Sequence, residues 1–410
     1  MFSSEQPLHI AMVCMHTSPG TDPGAGDAGG MNVVVREQAT ALAAFGHRVS
    51  ILTRRSASEQ PATMELAPGV TLSFLEAGPA VALTKGEHER WMGEFAARVS
   101  AQEPADLVHS HHWFSGMAAL PTARGWGVPH VQSFHSIAAR DGSPLSAGER
   151  AESPGRMNGE SRLAQDSDAV VAISAAEAAL VRERLGGAPA SIHVVPPGVD
   201  TAMFNPAAPR GLGTEQGSRP YVIVAARLQP LKGLDLAIRA VAAIPESSRP
   251  DLLIAGAPSS DFFGYVDELR DLAGQVGLTD EVRFLGPQSR AELARLFRSS
   301  RAVLVPSHSE TYGLVALEGA ASGVPVVAAA AGGLREAVVH GRTGLVLESR
   351  DPGIWATAIE RILTDQTLAD RFSADAREHA VRLSWHRSAA SLLAVYRRLL
   401  GSGGAAPSEH

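Results

Sequence analysis

The sequence predicts an α/β protein made of two facing, doubly wound domains with a cleft between them, and three observations carry that prediction. The chain has 410 residues, which is about twice the size of one ordinary core. Short β-branched runs alternate with helical patterns, as in βαβ units with parallel sheets. A stretch rich in glycine and proline, residues 197–219, divides the chain near its middle. We therefore expect domains at 1–205 and 206–400, followed by a disordered tail at 401–410.

Thirteen apolar, β-branched runs are predicted as strands, with helices between most of them. In the first half they are HIAMVCM, RVSILT, TLSFLE, DLVHSH, PHVQSF, AVVAIS and SIHVVP. In the second half they are PYVIVAAR, DLLIAG, VRFLG, AVLVPS, PVVAA and GLVLE. Doubly wound sheets bind their ligands beyond the carboxyl ends of the strands. Functional residues are therefore expected directly after strands, where two such edges face each other.

Composition excludes several classes of protein. A net charge of −7 argues against a general nucleic-acid or membrane-surface binder. The most apolar stretch, residues 319–334, is interrupted by glycine and proline and is too short to span a bilayer. The single cysteine, Cys14, cannot form an intramolecular disulfide, and the N-terminus lacks the basic region of a signal peptide. We expect a cytoplasmic protein without nucleic-acid or membrane partners.

A glycine-rich segment, GDAGGMNVVV at 26–35, separates the first strand from a helical pattern. Ordering glycine costs more backbone entropy than ordering any other residue, so glycines persist where the chain turns sharply or approaches something closely. A glycine loop that leads into a helix N-terminus is suited to an anion, because free N–H groups and the helix dipole point the same way. The spacing does not match G-x-G-x-x-G, so the dinucleotide fingerprint is absent.

The second half combines cations with carboxylates around a predicted helix start. Arg227 and Lys232 follow a buried strand, where paired cations call for an anion such as a diphosphate. Glu310 and Glu318 flank a helix that begins near Gly313. Carboxylates do not bind phosphate, but they accept hydrogen bonds from sugar hydroxyls. The pattern therefore indicates a phosphate held between two polyols, as in a nucleotide sugar.

Two patterns resemble metal sites and are interpreted otherwise. His109, His111 and His112 follow one another closely, but no nearby residues complete a set of four ligands. Asp166 and Asp168 form an Asp-x-Asp at a place where a turn favours aspartate. We expect no metal and no cofactor.

The motifs RLQPLKG, PSHSETYGLVALEGAASGVPVVA and GGLREAVVHGRTGLV resemble the retaining GT-B glycosyltransferases of family 4. The resemblance covers residues 8–400. In the first half, MHTSPGTDPGAGDAGGMNVVV, AGPAVALTK, LVHSHHWFSG and FHSIAAR are similar to the members that act in mycothiol biosynthesis in actinobacteria. Those enzymes transfer N-acetylglucosamine from its UDP ester to inositol 3-phosphate. The resemblance thus implies the GT-B fold, a UDP-sugar donor, a small cyclitol acceptor and a homodimer as one candidate assembly.

The resemblance also assigns donor-binding residues, which are Gly30, Arg227, Lys232, Gln288, Glu310 and Glu318. Arg227 and Lys232 would neutralise the diphosphate, which Gly30 lets the loop approach. Glu318 would accept from the uridine ribose and Glu310 from the transferred sugar, while Gln288 would meet the uracil through its backbone. His135 matches a histidine near the transferred sugar and joins Arg227, Lys232 and Glu310 as an expected catalytic residue.

The implied acceptor-binding residues are His16, Asp27, Met31, Asn32, Lys85, His112, Ser136 and Arg156. The last four match the positions that hold the acceptor phosphate. The family has tyrosine in place of His112 and threonine in place of Ser136. Serine keeps the hydroxyl, and histidine can donate a hydrogen bond or carry charge towards a phosphate. These departures leave open a plain cyclitol, an aminocyclitol or a sugar phosphate as acceptor.

The expected reaction is a front-face transfer with retention. The residues offer no pair of carboxylates flanking the scissile bond, as retaining glycosidases have. The leaving phosphate oxygen of UDP would therefore take the acceptor proton, with Arg227 and Lys232 stabilising its charge. The donor sugar is glucose or N-acetylglucosamine on this reasoning. Two other classes of function remain open, a UDP-sugar epimerase or hydrolase and a nucleotide-sugar-binding regulator.

Overall fold

The fold was examined in a computed structural model that describes residues 6–21, 29–206, 219–259, 261–262 and 264–402. All thirteen predicted strands form, and they build two mainly parallel sheets. The tail predicted at 401–410 lies outside the described residues from 403 onwards. The predicted division between 205 and 206 stays a prediction, because the adjoining residues 207–218 are not described.

The first sheet has eight strands in the order β10-β9-β6-β5-β1-β2-β4-β3. Its strands and a separate two-stranded pair, β7 and β8, are β1 (His9–Cys14), β2 (Arg48–Arg54), β3 (Thr63–Ala67), β4 (Val70–Leu75), β5 (Leu107–His111), β6 (His130–Ser133), β7 (Ala138–Ala139), β8 (Glu149–Arg150), β9 (Ala169–Ala172) and β10 (Ile192–Val194). The accompanying helices are α1 (Gly30–Ala44), α2 (Met92–Ser100), α3 (Trp113–Trp126), α4 (Arg156–Asp166) and α5 (Ala175–Arg184). The edge strand β3 runs antiparallel and was not predicted, because it is short and its residues are mostly exposed.

The second sheet has six parallel strands in the order β13-β12-β11-β14-β15-β16. They are β11 (Tyr221–Ala225), β12 (Asp251–Ala255), β13 (Val282–Gly286), β14 (Ala302–Val305), β15 (Val326–Ala329) and β16 (Gly344–Leu347). The helices are α6 (Leu234–Ala242), α7 (Tyr265–Gln275), α8 (Arg290–Ser299), α9 (Leu314–Ala321), α10 (Leu334–Ala337), α11 (Pro352–Thr364) and α12 (Gln366–Val381). Both faces of this sheet are covered by apolar side chains, which explains why its strands are continuous apolar runs.

The last helix, α13 (Trp385–Ser402), returns to the first domain. Its side chains Leu392 and Tyr396 are fully buried in the apolar cluster beneath β1 and β2. The sequence places these residues in the second domain, and the structure differs because their apolar face completes the core of the first. No helix within the described ranges is both long enough and apolar enough to cross a membrane.

Candidate active site

The two domains enclose a cavity of about 870 Å³ at the carboxyl ends of their strands. Most predicted site residues line it. From the first domain these are His16, Gly30, Met31, Asn32, Lys85, His112, His135 and Ser136, and from the second Arg227, Lys232, Gln288, Glu310 and Glu318. Asp27 lies outside the described residues. The sequence motifs therefore converge on one place although they are far apart along the chain.

Two helix N-termini face each other across the cavity. Helix α1 begins at Gly30 and helix α9 at Leu314, and a Cβ added to Gly30 would lie 3.3 Å from Leu314 Cδ1. Gly313 precedes α9 with φ +107°, a conformation that favours glycine. Within the described chain, neither helix start carries a side-chain cap. Free N–H groups and two positive dipole ends thus meet where an anion can bind.

The donor-side cations follow strand β11. Lys232 Nζ lies 2.6 Å from Glu310 Oε2, and both side chains are about one-fifth exposed. The backbone around Glu310 is fixed by glycine, because a Cβ at Gly332 would lie 2.2 Å from the Glu310 carbonyl oxygen. Gly333 N–H donates to that same carbonyl at 3.0 Å. The Lys232–Glu310 pair is therefore held in place at the cavity edge, close to the start of α9.

Glu318 lies on α9 and is buried, with Oε1 3.3 Å from Arg290 Nη2. Burial raises the pKa of Glu318 to about 7, although Arg290 opposes the shift. The Arg290 guanidinium also lies 5.3 Å from the centre of the Phe204 ring. Sequence reasoning missed Arg290, which starts α8 two residues after Gln288. The side-chain amide of Gln288 donates to the Leu285 carbonyl at 2.9 Å. Because its side chain is engaged there, the loop at Gln288 offers its backbone to the cavity.

His135 joins the two domains at the cavity wall. Its backbone carbonyl accepts a hydrogen bond from Thr311 Oγ1 at 2.7 Å, across the cleft. Its Nε2 lies 2.9 Å from His111 Nδ1, and its φ is +60°. Burial lowers the pKa of His135 to about 3, so the ring is neutral. A neutral imidazole beside the cavity can exchange hydrogen bonds with a sugar but carries no charge.

Arg156 lies behind the cavity wall and has no exposed side-chain surface. It donates to Ser136 Oγ at 2.9 Å and to Glu160 Oε1 at 2.7 Å, and it also pairs with Glu152. Burial works against its charge, but the surrounding carboxylates raise the pKa of Arg156 above its usual value. In this structure the guanidinium positions Ser136, and its predicted contact with the acceptor stays a prediction.

Lys85 begins a short helical turn, which Thr84 and Glu87 cap. Its Nζ lies 3.0 Å from Glu149 Oε2, and Glu149 also approaches Arg156 Nη1 at 3.6 Å. Burial alone would raise the pKa of Glu149, but Lys85, Arg156 and Arg227 hold it well below its usual range. Sequence reasoning missed Glu149, because it lies in β8, a strand of two residues that is too short to give a recognisable pattern.

The rings of His16 and His112 lie against each other, with centres 4.3 Å apart and planes inclined by 45°. Both nitrogens of His112 and Nδ1 of His16 are buried and have no hydrogen-bond partner among the described residues. Burial, His16 and the nearby cations keep the pKa of His112 well below its usual value. Of the two roles that the sequence leaves open for His112, a hydrogen-bond donor or a charge towards a phosphate, the lowered pKa favours the neutral donor.

Asn32 and the two aspartates of the Asp-x-Asp have structural roles. Asn32 donates to the Ser18 carbonyl at 2.6 Å and to Thr17 Oγ1 at 2.9 Å, so its amide holds the loop after β1. The Asp-x-Asp forms the predicted turn: Asp166 approaches Arg162 at 3.4 Å, and Asp168 accepts from His130 N–H at 2.8 Å.

One compositional signal could have found the cavity earlier. The chain contains 36 basic residues, but only Lys85 and Lys232 are lysines, and both line the cavity. Lysine is a compact point charge suited to phosphate, whereas arginine is a planar fork. A chain that uses arginine almost everywhere else and lysine at these two positions indicates that the ammonium group is needed there.

Comparison with known proteins identifies both halves of the chain. Residues 29–198 match the family model described as "Glycosyl transferase 4-like domain". Residues 213–379 match the model "Glycosyl transferases group 1".

Several curated relatives carry one name, "D-inositol 3-phosphate glycosyltransferase". The protein of Stackebrandtia nassauensis is 41% identical over 95% of this chain and 91% of its own length. The protein of Frankia alni is 40% identical over 94% of this chain and 98% of its own length. The protein of Mycobacterium marinum is 40% identical over 96% of this chain and 86% of its own length.

Solved structures agree with the fold. Sucrose-phosphate synthase from Thermosynechococcus elongatus superposes with a TM-score of 0.85 at 27% identity, over 96% of this chain and 99% of that chain. HepE of Anabaena in complex with UDP-glucose superposes with a TM-score of 0.74 at 19% identity, over 96% and 99%, and its likeness concerns the fold alone. The chain therefore belongs to the retaining GT-B glycosyltransferases of family 4, in the group formed by the D-inositol 3-phosphate glycosyltransferases.

Proposed function

We propose that this enzyme transfers N-acetylglucosamine from UDP-N-acetylglucosamine to 1D-myo-inositol 3-phosphate with retention, as in mycothiol biosynthesis. The observation that carries the proposal is the placement of the two lysines. Lys232 lies near the start of α9 in one domain, and Lys85 lies near Ser136 and His112 in the other. Two separate cationic centres in one cavity fit a donor diphosphate and an acceptor phosphate. The names of the relatives support the acceptor, because they include D-inositol 3-phosphate.

The donor occupies the second domain in this proposal. Arg227, Lys232 and the N–H groups at the start of α9 stabilise the diphosphate. Glu318 accepts from the ribose, and Glu310 accepts from hydroxyls of the sugar. Gln288 presents its loop backbone to the uracil, and Gly30 lets α1 approach the phosphates.

The chemistry is a front-face substitution at the anomeric carbon. The bond from that carbon to the phosphate oxygen of UDP breaks, and a bond to the acceptor oxygen forms on the same face. The acceptor proton passes to the departing phosphate oxygen. Arg227 and Lys232 carry the developing negative charge, and such preorganised groups are the usual source of catalysis. His135, neutral and held by His111, orients the sugar.

The acceptor lies against His16, Met31, Lys85, His112 and Ser136, with Asn32 near the start of α1. Asp27, outside the described residues, stays an expected acceptor contact. Lys85 supplies the charge for its phosphate. His112 and Ser136 supply hydrogen bonds, and Arg156 contributes by fixing Ser136. The unpartnered ring nitrogens of His16 and His112 support this placement, because buried polar atoms normally have a partner.

A turnover assay tests the substrates. UDP release is measured with UDP-N-acetylglucosamine and UDP-glucose, each with inositol 3-phosphate, plain inositol, an aminocyclitol, a sugar phosphate and no acceptor. The proposal requires the highest kcat/KM with N-acetylglucosamine and inositol 3-phosphate. UDP release without acceptor would instead indicate a hydrolase or epimerase, and binding without release would indicate a regulator.

Chemical labelling tests the placement directly, because the chain has two lysines. An amine-reactive reagent is applied with and without substrates, and labelled peptides are quantified by mass spectrometry. UDP should protect Lys232 and leave Lys85 reactive. Inositol 3-phosphate should protect Lys85, and equal protection of both lysines by either substrate would contradict the assignment.

We also propose that the reaction needs no metal or cofactor. Turnover should persist in excess EDTA, since charge on the leaving group is balanced by Arg227 and Lys232. Loss of activity that a divalent ion restores would overturn this. A cytoplasmic location agrees with the nucleotide-sugar donor. A homodimer is one candidate assembly, which light scattering on the purified protein tests.

A further inference from the structure

One carboxylate lies among the cations of the acceptor end. Glu149 Oε2 is 3.0 Å from Lys85 Nζ and 3.6 Å from Arg156 Nη1. Its other oxygen is 3.9 Å from Arg227 Nη2, in the opposite domain. A single acidic side chain therefore contacts cations that the proposed function assigns to the acceptor phosphate and to the donor diphosphate.

The charges around Glu149 are balanced before any substrate enters. Arg156 already pairs with two other carboxylates. Glu160 lies one turn further along the same helix, α4, and Glu152 lies four residues before Arg156. Glu149 then supplies the negative charge next to Lys85. A dianionic phosphate that approached Lys85 would meet this carboxylate at close range, and like charges at such distances repel strongly.

The backbone of Glu149 is held in place, but its side chain can rotate towards solvent. Ala138 and Glu149 pair in the small sheet of β7 and β8, and Arg184 donates to the Ala147 carbonyl at 3.1 Å. The side chain of Glu149 retains 24% of its exposure and lines the cavity. Rotation of the side chain alone would move the carboxylate away from Lys85 towards solvent.

We propose that Glu149 is an internal anion that occupies the acceptor-phosphate position of the empty cavity and is displaced when the acceptor binds. This inference rests on the proposed function. Without acceptor, Glu149 keeps Lys85 in place by neutralising it. Once the acceptor phosphate enters, it takes over the contact with Lys85, and Glu149 turns away.

Displacement makes Glu149 a specificity-determining residue. A bare phosphate ion gains the contact with Lys85 but must break the contact with Glu149. A phosphorylated cyclitol gains the same contact and, in addition, the hydrogen bonds of its hydroxyl groups. The carboxylate therefore lowers affinity for free anions more than it lowers turnover of the full acceptor.

The test uses Glu149→Gln in the full chain. The KM for inositol 3-phosphate should fall about 3- to 10-fold, because the phosphate no longer competes with the Glu149 carboxylate for Lys85. A fold-change of this size is typical of one partly exposed ion pair. Inhibition by inorganic phosphate should strengthen by a similar factor. The ligand-free variant should melt at a lower temperature than the parent, and inorganic phosphate should raise its Tm more than that of the parent.

Two further variants complete the test. Glu149→Asp keeps the charge and should resemble the parent in phosphate inhibition. Glu281→Gln removes a carboxylate of similar exposure, paired with Arg219 at 3.1 Å on the surface, and should change neither KM nor phosphate inhibition.

The outcomes separate two kinds of failure. An acceptor KM that rises in Glu149→Gln, with phosphate inhibition unchanged, would show that Glu149 merely orients Lys85 and would overturn this inference. A preference of both parent and variant for unphosphorylated acceptors would instead overturn the proposed function. A fall in acceptor KM together with stronger phosphate inhibition supports displacement.

Discussion

Each domain contributes one wall of the cleft, and both walls carry groups that can bind an anion. The two walls differ in how their residues are distributed along the chain. The donor wall consists of Arg227, Lys232, Glu310 and Glu318, which come from two short segments of the second domain. The acceptor wall consists of His16, Lys85, His112, Ser136 and Glu149, which come from five separate segments of the first. Two local motifs therefore supply the donor wall, and folding brings them together, whereas the acceptor wall has no local motif of this kind.

The walls differ in charge as well. On the donor wall, a lysine and a carboxylate form one pair beside a helix N-terminus. On the acceptor wall, Lys85 and Arg156 share the carboxylates Glu149, Glu152 and Glu160, and the histidines are neutral. In the proposed function, the donor wall stabilises charge that develops during the reaction. The acceptor wall there recognises charge that the substrate brings with it.

The largest effect should follow from removing the donor-wall lysine. Lys232→Ala should lower kcat by a factor on the order of 10²–10³, because it removes one contact to the leaving phosphate. The measurement is UDP release at saturating substrates. Arg219→Ala, a surface change, serves as the control, and parental kcat in Lys232→Ala would contradict the assignment.

Removing the acceptor-wall lysine should instead change binding. Lys85→Ala should raise the KM for inositol 3-phosphate by roughly 10- to 150-fold, the weight of one charged hydrogen bond. The KM for the donor should stay within about 2-fold, since Lys232 is untouched. A rise in donor KM, or a loss confined to kcat, would remove the distinction between the two walls. Lys85→Arg is an informative companion, because arginine keeps the charge but changes its shape.

The donor wall should also show a pH response that the acceptor wall lacks. Burial raises the pKa of Glu318 to about 7, so its carboxyl is largely protonated below that pH and charged above it. A ribose hydroxyl donates better to the charged form. The donor KM should therefore fall by up to about 10-fold from pH 6 to pH 8, as the ionised fraction rises from about one tenth to about nine tenths.

Glu318→Gln provides the comparison for that response. Its amide does not titrate, so the donor KM of this variant should be nearly constant over the same range and higher than that of the parent at pH 8. Parallel profiles for the two proteins would assign the response to another group.

The smallest effect is expected at His112. His112→Phe removes a neutral hydrogen-bond donor and should raise the acceptor KM by about 2- to 10-fold. His112→Tyr restores a donor and should recover most of the affinity. Because burial and neighbouring cations keep the imidazole neutral, the ratio of variant to parent KM should not change between pH 6 and pH 8. A ratio that changed across pH 6–7 would show that His112 carries charge.

The sequence by itself determined the two doubly wound sheets and the donor wall. Continuous apolar strands alternate with helical patterns. The spacing of apolar residues that distinguishes them can be read from neighbouring residues, without knowing any contact between distant segments. Arg227 with Lys232, and Glu310 with Glu318, lie close together in the chain, so their spacing already places them after buried strands. The site roles that the resemblance gave to these residues stay predictions, although the structure brings them together.

Tertiary structure alone decided three other features. Helix α13 covers the core of the first domain, although an amphipathic helix does not specify which apolar surface it will cover. Arg290 reaches Glu318, and Glu149 reaches Lys85, through contacts between segments distant in sequence. Such contacts depend on how separate helices and strands pack against one another, which hydrophobic periodicity does not encode. The neutral state of His112 depends on burial in the same way, because a pKa is set by surroundings that only the folded chain assembles.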